Sequence, residues 1–249
     1  ASGMLPSSLI AVPENVKHIL IAETSTATMH RFINSDGFIR KLDQHYMSIG
    51  LNGPGKQKAW DKKTPLGIYF ITERLDTTKL HEKYGSAAFP LDYPNAWDEY
   101  LGRTGYGIWL HGVDHNNPHR PPRDTDGCLA LSNSDILKLA KTINPQITPV
   151  IVTKELNWTT SNSAFKIREA LTRTLMSWNE SINKNDIDAF QSFYSHDFDL
   201  MDINFDNWSY SSSNSSGKEE NYESLLTDIF FLADPEEPDL YLSRFTQIF

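Results

Sequence analysis

Short apolar runs that alternate with turn residues fill the first two thirds of the chain. Runs rich in β-branched and aromatic residues, separated by Gly, Pro, Asn and Ser, are typical of β-strands. They predict strands at His18–Glu23, Thr28–Ile33, His45–Ile49, Gly67–Thr72, Tyr106–His111, Cys128–Leu131 and Pro149–Thr153. One helix interrupts them, capped by Ser132 and carrying apolar residues at helical spacing as far as Asn144-Pro145. The pattern predicts a predominantly β domain over residues 17–155.

A different pattern follows a polar segment at 156–163, which we interpret as a linker. Phe165–Ile182 carries apolar residues every three or four positions, the period of an amphipathic helix, and Asp186–Tyr194 predicts a shorter helix. Further strands are predicted at His196–Ile203, Trp208–Tyr210 and Leu240–Phe249, with a helical stretch near Tyr222–Leu232. The chain is therefore predicted to end in an α+β domain at 164–249, and residues 1–16 form an N-terminal extension.

Both ends of the chain have unusual compositions. Residues 1–6 (ASGMLP) resemble a leftover sequence before a trimmed start, so an exported precursor with a signal peptide is left open. The chain stops at Phe249 inside an apolar run, whereas termini are commonly polar and frayed. We expect either that the native chain continues or that the last strand is completed elsewhere. No window approaches the roughly 18 uninterrupted apolar residues of a membrane span.

Negative charge is concentrated in the C-terminal part. Residues 161–249 hold 16 acidic and 6 basic residues, against 16 acidic and 17 basic residues in 1–160, and the formal net charge is −9. Nucleic acids and anionic membrane surfaces bind basic patches, so this balance argues against both as partners. The 13 Phe, 10 Tyr and 6 Trp exclude disorder for most of the chain. The change in charge supports a division into two domains.

A single cysteine narrows the candidate chemistry. Because Cys128 is the only cysteine in the sequence, an internal disulfide and a multi-cysteine zinc site are excluded. Cys128 lies 17 residues after His111, which ends an apolar strand and precedes Gly112. A thiol beside an imidazole is the minimal cysteine nucleophile, because a base must remove the thiol proton before attack. The N–H groups of Gly127 and Cys128 are candidates for stabilising an oxyanion. The alternative is a buried cysteine that acts only as a small apolar group.

These pieces resemble the YkuD-type L,D-transpeptidases, which act on peptidoglycan stem peptides. The resemblance rests on four motifs in the same order within residues 17–155: Ser48-Ile49-Gly50, Thr64-Pro65-Leu66-Gly67-Ile68-Tyr69, His111-Gly112 and Thr125-Asp126-Gly127-Cys128-Leu129. It implies a mainly β catalytic domain, a YkuD-like β-sandwich with a short helix. It also implies a Cys128 thioester, with His111 as the base and the Gly112 carbonyl orienting the imidazole. No cofactor is implied, and the location is the periplasm or cell envelope.

The resemblance leaves the activity open between related alternatives. It implies an L,D-transpeptidase in the first place. An L,D-carboxypeptidase that trims the terminal D-Ala from tetrapeptides is the second interpretation. A non-catalytic module that binds peptidoglycan is the third, although the Cys, the His and both glycines are all present.

The chain departs from the family pattern beside the cysteine. Many members carry Arg two residues after the Cys, where this chain has Ala130. Arg120 and Arg123 are candidates to bind the substrate carboxylate in its place, since Arg can hold a carboxylate in a bidentate manner; otherwise they are solvated loop residues. Thr125 and Asp126 complete the candidate substrate-binding set. Asp126 either orients His111 or caps the turn.

The C-terminal region resembles a nuclear-transport-factor-like domain, an α+β cone. Some L,D-carboxypeptidases that influence cell shape carry such a domain after the catalytic one. The resemblance implies a pocket that positions substrate, or a surface for a protein partner or a dimer.

A competing interpretation is a zinc site built from His111, His115 and His119. Their spacing of four would place three imidazoles on one face of a helix. Gly112 and Pro118 disfavour a helix there. We therefore expect no metal, and we expect His115 and His119 to be loop residues or to contact substrate.

Overall fold

The computed structural model describes residues 3–195 and 223–249, and most of its elements are strands. In chain order these are β1 (Met4–Pro6), β2 (Leu9–Ala11), β3 (His18–Glu23), β4 (Thr28–Ser35), β5 (Phe38–Gly50), β6 (Gly67–Phe70), β7 (Ala88–Pro90), β8 (Trp109–His111), β9 (Arg123–Thr125), β10 (Leu129–Leu131), β11 (Pro149–Thr153), β12 (Trp158–Thr160), β13 (Leu225–Ala233) and β14 (Tyr241–Ile248). The helices are α1 (Ala96–Tyr100), α2 (Asn133–Ala140), α3 (Ser161–Asn183) and α4 (Ile187–Gln191), with short 3₁₀ turns at Thr77–Lys79 and Glu82–Tyr84.

A nine-stranded sheet forms the centre of the part that the structure describes. Its order is β6-β11-β3-β4-β5-β10-β8-β7, with β9 paired to β5. The pairs β3–β11 and β8–β10 are parallel, and β3, β4 and β5 form an antiparallel meander. The predicted mainly β domain with a short helix is therefore confirmed.

The best-predicted strands are those with apolar residues on both faces. β3 and β11 have the predicted bounds. Along β3, Ile19 and Ile21 enter one buried cluster and Leu20 enters another, on the opposite face of the sheet. The predicted strand His45–Ile49 is the buried second half of the longer β5.

The helix after the cysteine strand begins at its predicted cap. The Ser132 side chain accepts a hydrogen bond from the Asp135 N–H, which satisfies one of the free donors at the start of α2. Ile136 and Leu139 face the core. The helix ends at Ala140, before the Asn144-Pro145 that was expected to stop it.

The helical stretch predicted near Tyr222–Leu232 is wrong, because β13 occupies Leu225–Ala233. Its side chains alternate between two cores: Leu226 and Phe231 pack toward α3, whereas Phe230 and Leu232 pack against the central sheet. A β-bulge between Thr227 and Phe230 shifts the alternation. The predicted helices α3 and α4 and the last strand are confirmed.

The N-terminal extension is part of the same structure as the C-terminal elements. β2 pairs with β13, and β1 pairs with β12. The segment predicted as a linker at 156–163 thus contains a paired strand and the start of α3, which Thr160 caps. Its polar side chains lie on an exposed two-stranded edge and in a helix cap. The division of the chain into separate domains stays a prediction.

The nuclear-transport-factor-like cone is not confirmed. α3 packs on a three-stranded sheet of order β14-β13-β2, and this part is not clearly separate from the central sheet. The predicted strands at 196–203 and 208–210 lie outside the described residues. Within the residues that are described, no helix is long and apolar enough to cross a membrane.

Candidate active site

His111 ends β8, and Cys128 directly precedes β10, the neighbouring parallel strand. The pairing of β8 with β10 aligns Leu110 with Leu129 and His111 with Ala130. Leu110 and Leu129 are both fully buried in the core. Since side chains alternate along a strand, His111 and Cys128 both project from the opposite face, on adjacent strands. The strand ends thus bring together the two residues that sequence spacing had associated.

The imidazole of His111 is held in one orientation by the next residue. Its Nδ1 lies 2.6 Å from the Gly112 carbonyl oxygen. A carbonyl oxygen only accepts hydrogen bonds, so Nδ1 carries the proton and Nε2 keeps its lone pair in the neutral ring. Tyr84 packs edge-on against the imidazole with ring centroids 5.1 Å apart. The predicted contact between Gly112 and His111 is therefore present.

Glycine is required at 112 because the chain is crowded there. A Cβ on Gly112 would lie 2.3 Å from Asn133 Oδ1. The Gly112 N–H donates to the carbonyl oxygens of Tyr84 and Ala87, at 3.0 Å each. Asn133, at the start of α2, accepts from the Val113 N–H and donates to the Val113 carbonyl. These bonds fix the turn that follows the histidine.

The half-buried Cys128 thiol contacts backbone groups of the strand beside it. The Trp109 N–H donates to Sγ at 3.4 Å, and the thiol donates to the Gly107 carbonyl at 3.4 Å. No hydrogen bond joins Sγ to the His111 ring among the described residues.

The first residue of the Thr64–Tyr69 motif forms a hydrogen bond to the turn before Cys128. Thr64 is fully buried; its hydroxyl donates to the Gly127 carbonyl at 2.9 Å and accepts from the Gly50 N–H at 2.9 Å. Gly127 has φ +131°, and a Cβ there would lie 2.7 Å from the Lys63 carbonyl oxygen. Three of the four motif segments therefore meet at one hydroxyl group, a contact that no local pattern indicates.

The two candidate oxyanion donors, the N–H groups of Gly127 and Cys128, differ in their hydrogen bonding. The buried Thr125 hydroxyl donates to the Cys128 carbonyl at 2.7 Å and accepts from the Gly127 N–H at 3.1 Å. Thr125 thus closes the turn and does not face substrate, and the Gly127 N–H already has a partner. The Cys128 N–H donates to no group in the described part of the chain. It is the remaining candidate oxyanion donor.

The three charged candidates occupy different positions. Arg120 is largely buried, donates to the Asp124 carbonyl at 3.1 Å, and its charge acts on both His111 and Cys128. Arg123 is exposed, with its guanidinium against Gly53. Asp126 is exposed, 3.9 Å from Lys62 Nζ, and it orients no imidazole.

A second cation near the site was not predicted. Lys83, in the 3₁₀ turn before β7, lies with Nζ 5.0 Å from the Tyr84 ring centroid, a cation–π contact. Its charge also acts on both His111 and Cys128. Lys83 and Tyr84 are 28 and 27 residues before His111 in the sequence, so only the folded chain associates them with it.

Burial keeps both reactive groups uncharged. It raises the pKa of the Cys128 thiol to about 11, although the Trp109 N–H and the Lys83 and Arg120 charges act in the opposite direction. It lowers the pKa of His111 to about 4, against the effect of the hydrogen bond to Gly112. The pair therefore rests as a neutral thiol and a neutral imidazole at pH 7.

The arrangement needed for a zinc site is not present in this segment. His111 ends a strand, and residues 112–122 contain turns and no helix. His115 contacts Asn133 and Ser86 at 3.3 and 3.5 Å. Among the described residues no three His, Cys, Asp or Glu side chains converge as metal ligands.

Family comparison agrees with this fold. The family model for the YkuD L,D-transpeptidase catalytic domain matches residues 17–152. That span is more than half of the chain, and the chain belongs to this family. The peptidoglycan-related character predicted from the motifs is thereby confirmed at the level of the family. A search of curated proteins found no match.

Solved structures match almost the whole chain as well. Bd1075 from Bdellovibrio bacteriovorus is 28% identical, with a TM-score of 0.78, over 98% of this chain and 86% of that one. The helical cell shape determining protein Pgp2 from Campylobacter jejuni is 23% identical, with a TM-score of 0.72, over 99% of this chain and 83% of that one. This chain thus shares its fold with both, including the elements after residue 155.

Proposed function

We propose that this protein is a cysteine acyltransferase that acts on peptidoglycan stem peptides as an L,D-transpeptidase. The hydrogen bond from His111 Nδ1 to the Gly112 carbonyl carries the proposal. It leaves Nε2 unprotonated, on the same face of the sheet as the only thiol. Membership of the YkuD family supports the class of substrate.

The reaction begins with transfer of the thiol proton to His111 Nε2. Sγ then attacks the carbonyl carbon of the L-centre that precedes the terminal D-Ala, and the oxyanion accepts a hydrogen bond from the Cys128 N–H. Collapse of the tetrahedral intermediate breaks the amide bond, and the departing D-Ala nitrogen takes the proton from His111. The product of this half-reaction is a thioester on Cys128.

An acceptor completes the cycle. His111 removes a proton from an incoming amine, which attacks the thioester, restores the thiol and forms a new peptide bond. Water in place of the amine gives a shortened stem peptide and makes the protein a carboxypeptidase. The latter is the second candidate, because one structure that matches almost the entire chain is that of a cell shape determining protein.

In this proposal, two cations bind a substrate carboxylate. Arg120 and Lys83 both act electrostatically on the reactive pair. A carboxylate bound between them would be held by charge-assisted hydrogen bonds. Arg120 therefore replaces the Arg that many family members carry at the position of Ala130. Arg123 stays a predicted contact, farther along the same loop.

The proposed location follows from the substrate. Peptidoglycan lies outside the cytoplasmic membrane, so we place the protein in the periplasm or cell envelope. A protein partner or a dimer formed through the C-terminal elements stays a prediction.

Muropeptides incubated with wild-type protein and with Cys128→Ala, then separated and weighed by mass spectrometry, test the proposal. Dimers with a 3–3 link, in which the L-centre carbonyl of one stem is joined to an amine of the third residue of another, or exchange of the terminal D-amino acid, establish transpeptidation. Loss of D-Ala without dimers establishes carboxypeptidation. If neither product forms and both proteins still bind peptidoglycan, the non-catalytic binding module is the remaining interpretation.

A further inference from the structure

Two large aromatic side chains are exposed on loops that contact the turn around Cys128. Trp60 is 86% exposed and Tyr106 is 77% exposed. Aromatic residues normally bury most of their surface. The reactive pair described above uses neither of them, and exposed apolar side chains grouped at a site mark a place where a ligand binds.

The loop that carries Trp60 is held rigidly. The Asp61 carboxylate accepts hydrogen bonds from the buried Lys56 ammonium at 2.8 Å and from three backbone N–H groups, at 2.8 to 3.0 Å. Burial would raise the pKa of Asp61, but these donors lower it to about 2. The carboxylate therefore stays charged and bonded. The backbone on both sides of Trp60 is therefore fixed.

The same loop contains backbone strain. Trp60 has φ +65° and Lys62 has φ +55°, in the left-handed region that bulky side chains rarely adopt. Strain of this kind persists where surrounding bonds enforce it, and it clusters at functional sites. Asp61, between these two residues, accepts the hydrogen bonds that hold this backbone.

The second aromatic residue is joined to the first through a neighbouring loop. The Ala59 N–H donates to the Thr104 hydroxyl at 3.1 Å, and a Cβ on Gly105 would lie 3.3 Å from Ala59 Cα. Because Ala59 precedes Trp60 and Gly105 precedes Tyr106, the two aromatic residues lie on adjoining chain segments.

These segments also reach the cysteine. The carbonyl after Tyr106, that of Gly107, lies 3.4 Å from Cys128 Sγ. Lys62 of the other loop lies 3.9 Å from Asp126, two residues before the cysteine. The aromatic pair is therefore continuous with the candidate active site. Lys83 and Arg120, in contrast, belong to the segments around His111.

We propose that Trp60 and Tyr106 form a carbohydrate-binding platform that stacks on sugar rings of the glycan strand to which the stem peptide is attached. The inference rests on the proposed function and names the part of the substrate that lies beyond the peptide. The C–H-rich face of a pyranose is apolar and weakly positive, and it complements the negative face of an aromatic ring. The platform selects glycan-linked stem peptides over free ones.

The test compares two substrates with four proteins. Release of D-Ala is measured from a free tetrapeptide and from a disaccharide-tetrapeptide, with wild type, Trp60→Ala, Tyr106→Ala and Phe38→Ala. Phe38 is a matched control, since it is 81% exposed on the distant β4–β5 hairpin. Far-ultraviolet circular dichroism and thermal melting establish that each variant is folded.

We expect Trp60→Ala and Tyr106→Ala to lower kcat/KM for the disaccharide-tetrapeptide about tenfold more than for the free tetrapeptide. Phe38→Ala should treat both substrates as wild type does. Equal losses on both substrates, or no loss on either, overturn the platform. Equal losses would assign the loops to peptide contact or to support of the turn.

A binding experiment separates this inference from the proposed reaction. If wild type releases D-Ala from neither substrate, the proposed function fails while the platform still makes a prediction. Cys128→Ala protein should then bind soluble glycan strands without stem peptides, and Trp60→Ala combined with Cys128→Ala should bind them at least fivefold more weakly. Equal binding by the two proteins overturns the platform independently.

Discussion

Burial raises the pKa of Cys128 and lowers the pKa of His111. The thiol pKa of about 11 and the imidazole pKa of about 4 place neither group near its charged form at neutral pH. Many reactive cysteines instead rest as a thiolate stabilised by a nearby cation. In this protein burial outweighs the nearby cations, and the thiol rests protonated.

Alkylation of Cys128 as a function of pH measures that resting state. With the thiol pKa at about 11, the thiolate fraction and the rate with iodoacetamide should rise about tenfold per unit between roughly pH 7 and 10. Intact-mass spectrometry follows the adduct, and Cys128→Ala, which has no other thiol, is the blank. A rate that is already constant between pH 5 and 7 would show a preformed ion pair and contradict the assignment.

Residues of the site differ in how far the sequence identifies them. Cys128 and His111 each lie next to a glycine, Gly127 and Gly112, in a short motif, so local chemistry identifies them as candidates. Thr64, Lys83 and Asn133 act through contacts across long stretches of chain, and isolated polar residues have no periodicity that would indicate them. The hydrogen bonds of Thr125 within its turn are not indicated by the sequence, because an exposed and a buried hydroxyl look identical there.

At the level of elements, α2 supports the turn after His111 through its first residue. Asn133 Oδ1 accepts from the Ser86 and Val113 N–H groups at 2.9 and 3.2 Å, and Nδ2 donates to the Val113 carbonyl at 2.7 Å. One side chain thus joins the loop before β7 to the loop after β8. The position of Gly112, and hence of the imidazole, depends on this junction.

Asn133→Ala should destabilise the protein by about 2 kcal/mol, because it leaves backbone donors without partners. It should also lower kcat/KM through displacement of His111. Asn133→Asp keeps both acceptor contacts and should lose less in both respects. Denaturant unfolding and D-Ala release measure the two effects. If the Ala and Asp variants behave alike, the acceptor contacts do not position the turn.

The elements that the sequence predicted best are short runs of β-branched residues that are compatible only with a strand. Pro149–Thr153 is a short, largely β-branched run, and every residue in it is buried. Leu225–Ala233 is longer and contains Thr227 and Asp228, and its apolar positions are compatible with a helix or a strand. Its pairing with β2, more than two hundred residues earlier, decides in favour of the strand. No local pattern contains that information.

At the level of the molecule, the first and last parts of the chain share one core. Leu232 of β13 is fully buried with Ile19, Phe32 and Ile151 of the central sheet. The strands of the N-terminal extension pair with elements from the C-terminal part. Charge composition differs between the two parts, yet the packing joins them.

Leu232→Ala tests this shared core. We expect a loss of about 2–5 kcal/mol in the free energy of unfolding, with the whole chain unfolding in one shifted transition. Leu225→Ala, at a 62% exposed position of the same strand, is the matched control and should have little effect. Circular dichroism and tryptophan fluorescence follow the unfolding. Two separate transitions, with only one of them shifted, would show that the C-terminal part is an independent domain.

Release of D-Ala from a tetrapeptide stem, measured side by side for wild type and Cys128→Ala, tests the proposed chemistry most directly. This step precedes the choice between amine and water, so it is common to transpeptidase and carboxypeptidase. We expect wild type to release D-Ala and the folded Cys128→Ala variant to lose activity by on the order of 10³-fold or more. A variant that retains activity within about tenfold of wild type would contradict the assignment of Cys128 as the nucleophile.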